Sequence, residues 1–178
     1  MAMQKTALAA ALICMAPLAM AEATVELHKA TPEGAGDSIG SVTFEDTDYG
    51  LLITPDLSGG SAGGMHGFHL HQNASCAPTT DNGETTPAGG AGGHFDPEET
   101  GTHAGPYAEE SHLGDMPLLT ADGEGRIRTP VLAPRITESD LDGHAVVLHE
   151  GGDNYSDMPA LGGGGARLAC GVIARQSE

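Results

Sequence analysis

The sequence predicts an all-β protein, an eight-stranded Greek-key flattened barrel or two-sheet sandwich with two long functional loops. Short apolar or alternating segments recur along the chain, and Gly-, Pro- and Asp-rich turns separate them. No long stretch after the N-terminal segment has helical periodicity. About eight such segments are enough for a small closed barrel or a two-sheet sandwich.

The predicted strands follow in order along the chain. Residues 24–29 and 38–45 alternate apolar with polar side chains, and 49–55 is an apolar run that follows an acidic turn. Residues 65–71 again alternate, and 117–119 is a short apolar block. The remaining strands are predicted at 126–132, 144–149 and 167–174.

Two long segments, 72–116 and 151–166, have no strand signal. Loops of this length within one domain are usually functional or disordered. The first contains a cysteine and several candidate metal ligands, so a disulfide and metal ions can order it. The second is rich in glycine, contains Asp153 and Asp157, and ends at Arg167.

Residues 1–21 have the pattern of a signal peptide. Lys5 precedes an apolar run over 6–18, and Ala19-Met20-Ala21 fits the small-x-small cleavage rule. We therefore expect cleavage near Ala21, one domain over 22–178, and a periplasmic or secreted location. A membrane anchor is the alternative, but the apolar run is shorter than the roughly 20 residues that a span requires.

Cys76 and Cys170 are the two cysteines that remain after this cleavage. In an oxidising compartment such a pair predicts a disulfide that closes a loop of nearly a hundred residues. Two reduced, buried thiols are the alternative.

The mature chain is strongly acidic, with 25 acidic against six basic residues and a formal charge of −19. This balance argues against nucleic acid and anionic membranes as partners, and it would also repel an anionic substrate. No Trp marks an apolar contact patch, so the sequence does not decide between a monomer and a homodimer.

Six of the nine histidines form two interlocked patterns typical of metal ligands. His69 and His71 would project from one face of a strand, and with His94 and His149 they make a set of four imidazoles that suits Cu(II). A second set of four residues, separated from one another by eight, eight and two positions, would form a closed tetrahedral zinc site. This set comprises His94, His103, His112 and Asp115. A surface His-x-His pair and solvated loop histidines are the alternatives.

Five motifs, in this order, resemble the copper/zinc superoxide dismutase family, and most closely its secreted bacterial branch. The resemblance spans about residues 24–174. The motifs are Gly67-Phe68-His69-Leu70-His71, Gly92-Gly93-His94-Phe95-Asp96-Pro97, His112-Leu113-Gly114-Asp115, Val147-Leu148-His149-Glu150 and Gly164-Gly165-Ala166-Arg167-Leu168-Ala169-Cys170-Gly171-Val172-Ile173.

This resemblance implies roles for individual residues. It implies dismutation of superoxide to oxygen and hydrogen peroxide by a redox-cycling copper, with His94 bridging copper to a structural zinc. It assigns copper to His69, His71, His94 and His149, and zinc to His94, His103, His112 and Asp115. It also implies that Asp153 links His69 to His103, that Arg167 attracts the anion, and that His66 and His144 have hydrogen-bonding roles.

The chain departs from the family pattern in its cations. Lys29 is the single lysine of the mature chain, and 151–166 contains no basic residue that could support Arg167. Arg126, Arg128 and Arg135 are candidates to replace such support. A secreted non-catalytic copper/zinc-binding protein is the alternative function. A zinc hydrolase would need an open zinc position, which the ligand set does not leave.

Overall fold

The computed structural model describes residues 22–173 and confirms the all-β class. Within this range there are twelve strands and no α-helix. None of the described segments is a helix with the length and hydrophobicity that crossing a membrane requires. The predicted signal peptide, 1–21, lies outside the described residues, as does the end of the last predicted strand.

Five of the strands have five or more residues, and the others are short. Three 3₁₀ turns occur at Gly89–Ala91, Glu138–Leu141 and Ala160–Gly163. The strands are β1 (Glu22–Thr31), β2 (Gly34–Thr47), β3 (Gly50–Ser58), β4 (Met65–His66), β5 (Phe68–His71), β6 (Thr79–Asp81), β7 (Glu84–Thr86), β8 (Leu119–Thr120), β9 (Arg126–Ile127), β10 (Val131–Ala133), β11 (Ala145–His149) and β12 (Arg167–Val172).

One antiparallel sheet of eight strands forms the body of the protein. Its order is β10-β3-β2-β1-β12-β11-β5, and β9 also pairs with β3. Strands β1, β2 and β3 are joined by tight turns, and β12 returns from the end of the chain to lie beside β1. A fourth strand that returns beside the first defines a Greek key.

The core lies between the curled halves of this sheet. Period-two alternation in β1 buries Ala23, Val25 and Leu27 on one face, and the largest buried side chains include Phe44 and Phe68. A second, smaller apolar cluster packs the first long loop against the outside of β11 and β12. Its buried members are Ala88, Ala91, Ala145, Val147 and Cys170.

The prediction of one continuous strand over 65–71 is wrong. The strand is interrupted at Gly67, so that β4 pairs with β8 while β5 pairs with β11. The Gly67 amide donates instead to the Gly151 carbonyl, and its carbonyl accepts from the His149 amide, both at 2.8 Å. This break turns the backbone toward the second long loop.

Two further boundaries differ from the prediction. The predicted strand 126–132 is divided into β9 and β10, and Pro130, which has no amide proton for a ladder hydrogen bond, lies between them. The first long loop contains the hairpin β6–β7, which the prediction omitted. Asn82 and Gly83 at its turn both have positive φ angles, 49° and 86°, as a type I′ turn requires.

The predicted disulfide between Cys76 and Cys170 is present. It joins the first long loop to the central strand β12 across 94 residues of sequence. The disulfide thereby attaches the loop to β12, the strand that pairs with β11.

Replacing both cysteines with serine should lower the free energy of unfolding by about 2 to 5 kcal/mol, because the unfolded chain regains the freedom of a long loop. The measurement is denaturant unfolding of the variant and the parent protein, each with and without reductant. Reductant should destabilise the parent and leave the variant unchanged. Equal unfolding midpoints in all four samples would contradict a stabilising role for this cross-link.

Candidate metal centre

The candidate site lies on the outer face of β5 and β11. His69 and His71 are two residues apart on β5 and so share a face, and β11 pairs with β5 and ends at His149. Two isolated bridges bring the first long loop against β5, one between His71 and His94 and one between His69 and Asp115. The sheet and the loop together therefore assemble residues that are up to 80 positions apart.

Four imidazoles form the first cluster. One nitrogen of each lies within 4.8 Å of a nitrogen of every other member, and all four residues are buried. The members are His69, His71, His94 and His149.

Three of these rings are fixed through the nitrogen that faces away from the cluster. His69 Nε2 donates to Asp153 Oδ2 at 2.7 Å, and His71 Nδ1 donates to the Gly92 carbonyl at 2.9 Å. His149 Nδ1 makes a longer bond, 3.4 Å, to the Gly165 carbonyl. Such outer hydrogen bonds set the tautomer and the direction of a ligating ring.

The inward nitrogens of the cluster have no hydrogen-bond partner among the described residues. They are His69 Nδ1, His71 Nε2, His94 Nε2 and His149 Nε2. A buried polar atom without a partner costs free energy, and a bound cation removes that cost. Four converging imidazole nitrogens match the nitrogen-rich surroundings that Cu(II) prefers.

Burial favours the neutral form of three of these rings. Burial lowers the pKa of His94 to about 4 and that of His149 to about 3, and the pKa of His71 also falls well below its usual range. Neighbouring imidazoles add to the effect, because two positive charges at this spacing repel each other. At neutral pH the inward nitrogens of His71, His94 and His149 therefore carry a lone pair instead of a proton.

The second cluster contains three imidazoles and one carboxylate, and all are buried. The distances from Asp115 Oδ1 are 2.8 Å to His94 Nδ1, 2.9 Å to His103 Nδ1 and 3.3 Å to His112 Nδ1. Three nitrogens and one oxygen that converge in this way fit a four-coordinate zinc site with no open position.

Electrostatics in the second cluster favour a positive charge. Burial alone would lower the pKa of His103, but hydrogen bonds to Asp115 and Asp153 outweigh it and raise that pKa to about 9. Burial would likewise raise the pKa of Asp115, yet hydrogen bonds from His103, His94 and Ser111 hold it far below its usual range. A divalent cation supplies the charge that these groups otherwise obtain from a proton.

His94 belongs to both clusters. Its Nδ1 lies 2.8 Å from Asp115 in the second cluster, and its Nε2 is one of the unpaired inward nitrogens of the first. Its ring centroid is 4.0 Å from that of His69. One ring thus offers its two nitrogens to two adjacent cation sites.

Asp153 connects the clusters by a second route. Its Oδ2 accepts from His69 Nε2 at 2.7 Å, and its Oδ1 accepts from His103 Nε2 at 2.8 Å. Gly162, whose φ is +70°, packs against this carboxylate, and a Cβ there would lie 1.9 Å from Asp153 Oδ1 and 2.8 Å from His103 Nε2. The close approach requires glycine at this position.

Arg167 lies beside the first cluster. A register shift between Leu148 and His149 places Arg167 opposite His149 where β11 and β12 pair. Its guanidinium is half-buried and donates to the carbonyls of Ala88 and Gly92 in the first long loop. Burial lowers the pKa of Arg167 from its usual value.

The three arginines that were candidates to support Arg167 have other partners. Arg126 pairs with Asp122 and Glu124, and Arg128 pairs with Asp56. Arg135 donates to backbone carbonyls, including those of Ser111 and His112 in the first long loop.

Two residues that contact the second cluster were not predicted from the sequence. Ser111 Oγ donates to Asp115 Oδ2 at 2.6 Å and accepts from the Ala104 amide at 2.8 Å. Asp157 Oδ1 accepts from the His103 amide at 3.0 Å. A serine next to His112 and an aspartate four residues after Asp153 are visible signals, but neither spacing distinguishes them from ordinary loop residues.

The two histidines predicted to have hydrogen-bonding roles do form hydrogen bonds. His66 is buried, accepts from the Ser61 amide at 3.0 Å and donates to the His149 carbonyl at 2.8 Å. His144 Nδ1 donates to the Gln72 carbonyl at 2.8 Å, and its ring packs on Phe95.

Comparisons with known proteins agree with this geometry. The family model for copper/zinc superoxide dismutase (SODC) matches residues 38–173. The chain belongs to this family. A curated relative, superoxide dismutase [Cu-Zn] 1 of Salmonella typhimurium, is 51% identical over 169 residues, which cover 94% of this chain and 95% of the relative.

Solved structures of the family share the fold. The Cu/Zn superoxide dismutase from Brucella abortus has a TM-score of 0.83 at 42% identity, covering 86% of this chain and 99% of that one. The monomeric copper, zinc superoxide dismutase from Salmonella enterica has a TM-score of 0.76 at 46% identity, with the same coverage. The Greek-key class predicted from the sequence is therefore confirmed.

Replacing Gly162 with alanine should destabilise the protein by about 1 to 3 kcal/mol, because the methyl group overlaps the Asp153 carboxylate and the backbone is strained. Gly101→Ala is the matched control, since Gly101 also has a positive φ, +61°, but nothing lies within 4 Å of its would-be Cβ. The midpoint temperature of thermal unfolding and the fraction of zinc retained in the presence of a chelator should both be lower in Gly162→Ala than in Gly101→Ala. Equal losses in the two variants would contradict the overlap.

Proposed function

We propose that this protein is a copper/zinc superoxide dismutase that converts superoxide to oxygen and hydrogen peroxide. The observation that carries the proposal is the position of His94, which offers Nε2 to one cluster of buried ligands and Nδ1 to another. Copper would be held by His69, His71, His94 and His149. Zinc would be held by His94, His103, His112 and Asp115.

The chemistry of the donors supports this division. The first set is four imidazoles, and the second set is three imidazoles and a carboxylate, which saturate a four-coordinate site. Bound copper supplies one-electron redox chemistry, while bound zinc stays in one oxidation state and holds the loop in place.

The residues of the chain provide binding and proton transfer. Arg167 is a permanent cation with a fork of donors, and it lies opposite His149, where it can orient an anion. His94 Nε2 is the ring atom that can take up a proton when it is not ligating and then deliver it to the departing peroxide. Asp153 keeps the rings of His69 and His103 in fixed orientations through its two oxygens.

Export and assembly are further parts of the proposal. The disulfide supports an oxidising location, in the periplasm or outside the cell, after removal of residues 1–21. N-terminal sequencing of the mature protein is the test, and Glu22 is the expected first residue. A homodimer stays a prediction, and sedimentation of the mature protein would decide between it and a monomer.

The decisive experiment combines elemental analysis with a dismutation assay on protein loaded with copper and zinc. We expect one copper and one zinc per chain, and activity that depends on copper. A fully loaded but inactive protein would favour the alternative, a non-catalytic copper/zinc-binding protein. Less than one copper per chain at saturation would contradict the proposed ligand set.

Replacing Arg167 with glutamine should lower kcat/KM for superoxide at least several-fold, because the anion loses its cationic partner. Both metals should be retained, since the guanidinium is not a ligand. Pulse radiolysis gives the rate, and elemental analysis gives the metal content. Arg128→Gln, which removes an arginine already paired with Asp56, is the control and should leave the rate unchanged. An unaltered rate in Arg167→Gln would refute the role.

A further inference from the structure

Few cations within residues 22–173 are free to attract an anion. Arg126 and Arg128 are paired with carboxylates, and Arg135 is engaged with backbone carbonyls. Lys29 lies on β1, separated from β11 by β12, and has no ion pair among the described residues. Arg167 is therefore the one cation that the strand pairing places directly beside the cluster of imidazoles.

The backbone that holds Arg167 also supports an acidic hairpin. Arg167 donates to the carbonyls of Ala88 and Gly92, and the 3₁₀ turn Gly89–Ala91 lies between them. A Cβ at Gly89 would lie 2.0 Å from Thr79 Oγ1, and the Gly90 amide donates to the Ala77 carbonyl at 2.8 Å. Strand β6 therefore packs against the same turn that Arg167 contacts.

The tip of this hairpin carries two exposed carboxylates. Asp81 and Glu84 face each other as the last pair of β6 and β7, and every residue of both strands is exposed. Asp81 is two residues beyond Thr79, about 7 Å along the strand, and alternation places its side chain on the same face as that of Thr79. The hairpin thus carries two negative charges beside the turn whose flanking carbonyls accept from Arg167, within a chain whose formal charge is −18.

We infer that Asp81 and Glu84 make the local field at the substrate entrance repulsive, so that superoxide capture accelerates as ionic strength rises. This inference rests on the proposed dismutase function. Long-range fields change encounter rates between charged partners and are weakened by salt. The Debye length falls from about 30 Å at 0.01 M to about 8 Å at 0.15 M, so salt removes repulsion by the hairpin and the rest of the surface before it affects close contact with Arg167.

The test measures kcat/KM for superoxide by pulse radiolysis at ionic strengths of about 0.01 M and 0.15 M, on protein with verified copper and zinc content. The rate of the parent protein should rise at least about two-fold between these conditions. In Asp81→Lys/Glu84→Lys the rate at low ionic strength should exceed that of the parent protein, and the rise with salt should disappear or reverse.

A matched control separates the local field from net charge. Glu45→Lys/Asp48→Lys makes the same change in total charge at the end of β2 and in the turn that follows it. Glu45 pairs with Glu22 on β1, about 23 Å along that strand from Lys29, and Lys29 pairs with Ala169, two residues from Arg167. This variant should keep a rising salt dependence. A parent rate that is flat or falls with salt, or equal effects of the two double variants, would overturn the inference. A fully loaded parent protein without dismutase activity would instead refute the proposed function.

Discussion

The geometry of the centre depends on hydrogen bonds that the outer nitrogens of its imidazoles donate. A histidine on a strand can rotate about two side-chain bonds, so a shared face alone does not aim its nitrogens at a common point. Here the acceptors are Asp153, the Gly92 carbonyl and the Gly165 carbonyl, and all three belong to loops. The sheet therefore supplies the positions of His69, His71 and His149, and the two long loops supply the acceptors that orient these rings.

The parts of the site that could be predicted from the sequence are those that depend on residue type. His69 and His71 on one strand, the loop histidines and Asp115 are recognisable because few side chains ligate metals. The carbonyls of Gly92 and Ala88 could not be predicted, because every residue has a carbonyl and only the folded loop selects among them.

The errors in the predicted fold have similar causes. Gly67 lies within a regular alternation, and the sequence does not reveal that its amide bonds to Gly151 instead of to a neighbouring strand. The Asn82–Gly83 pair is a strong hairpin signal, but the threonines around it show no apolar alternation, so the sequence pattern does not predict the two short strands. Segment 151–166 is rich in glycine, and these glycines let its backbone pack closely against the histidines. At Gly164, for example, a Cβ would lie 3.2 Å from His149 Cγ.

Arg167 contacts parts of the chain that are far apart in the sequence. The register shift at His149 places it beside a candidate copper ligand, and Cys170, three residues later on β12, joins the first long loop by the disulfide. The same loop contains Gly92, whose carbonyl accepts hydrogen bonds from both Arg167 and His71. Arg167 and the candidate copper ligand His71 thus share one acceptor, and a displacement of this loop would move both side chains together. We therefore expect the cross-link to stabilise the positions of Arg167 and His71 as well as the fold.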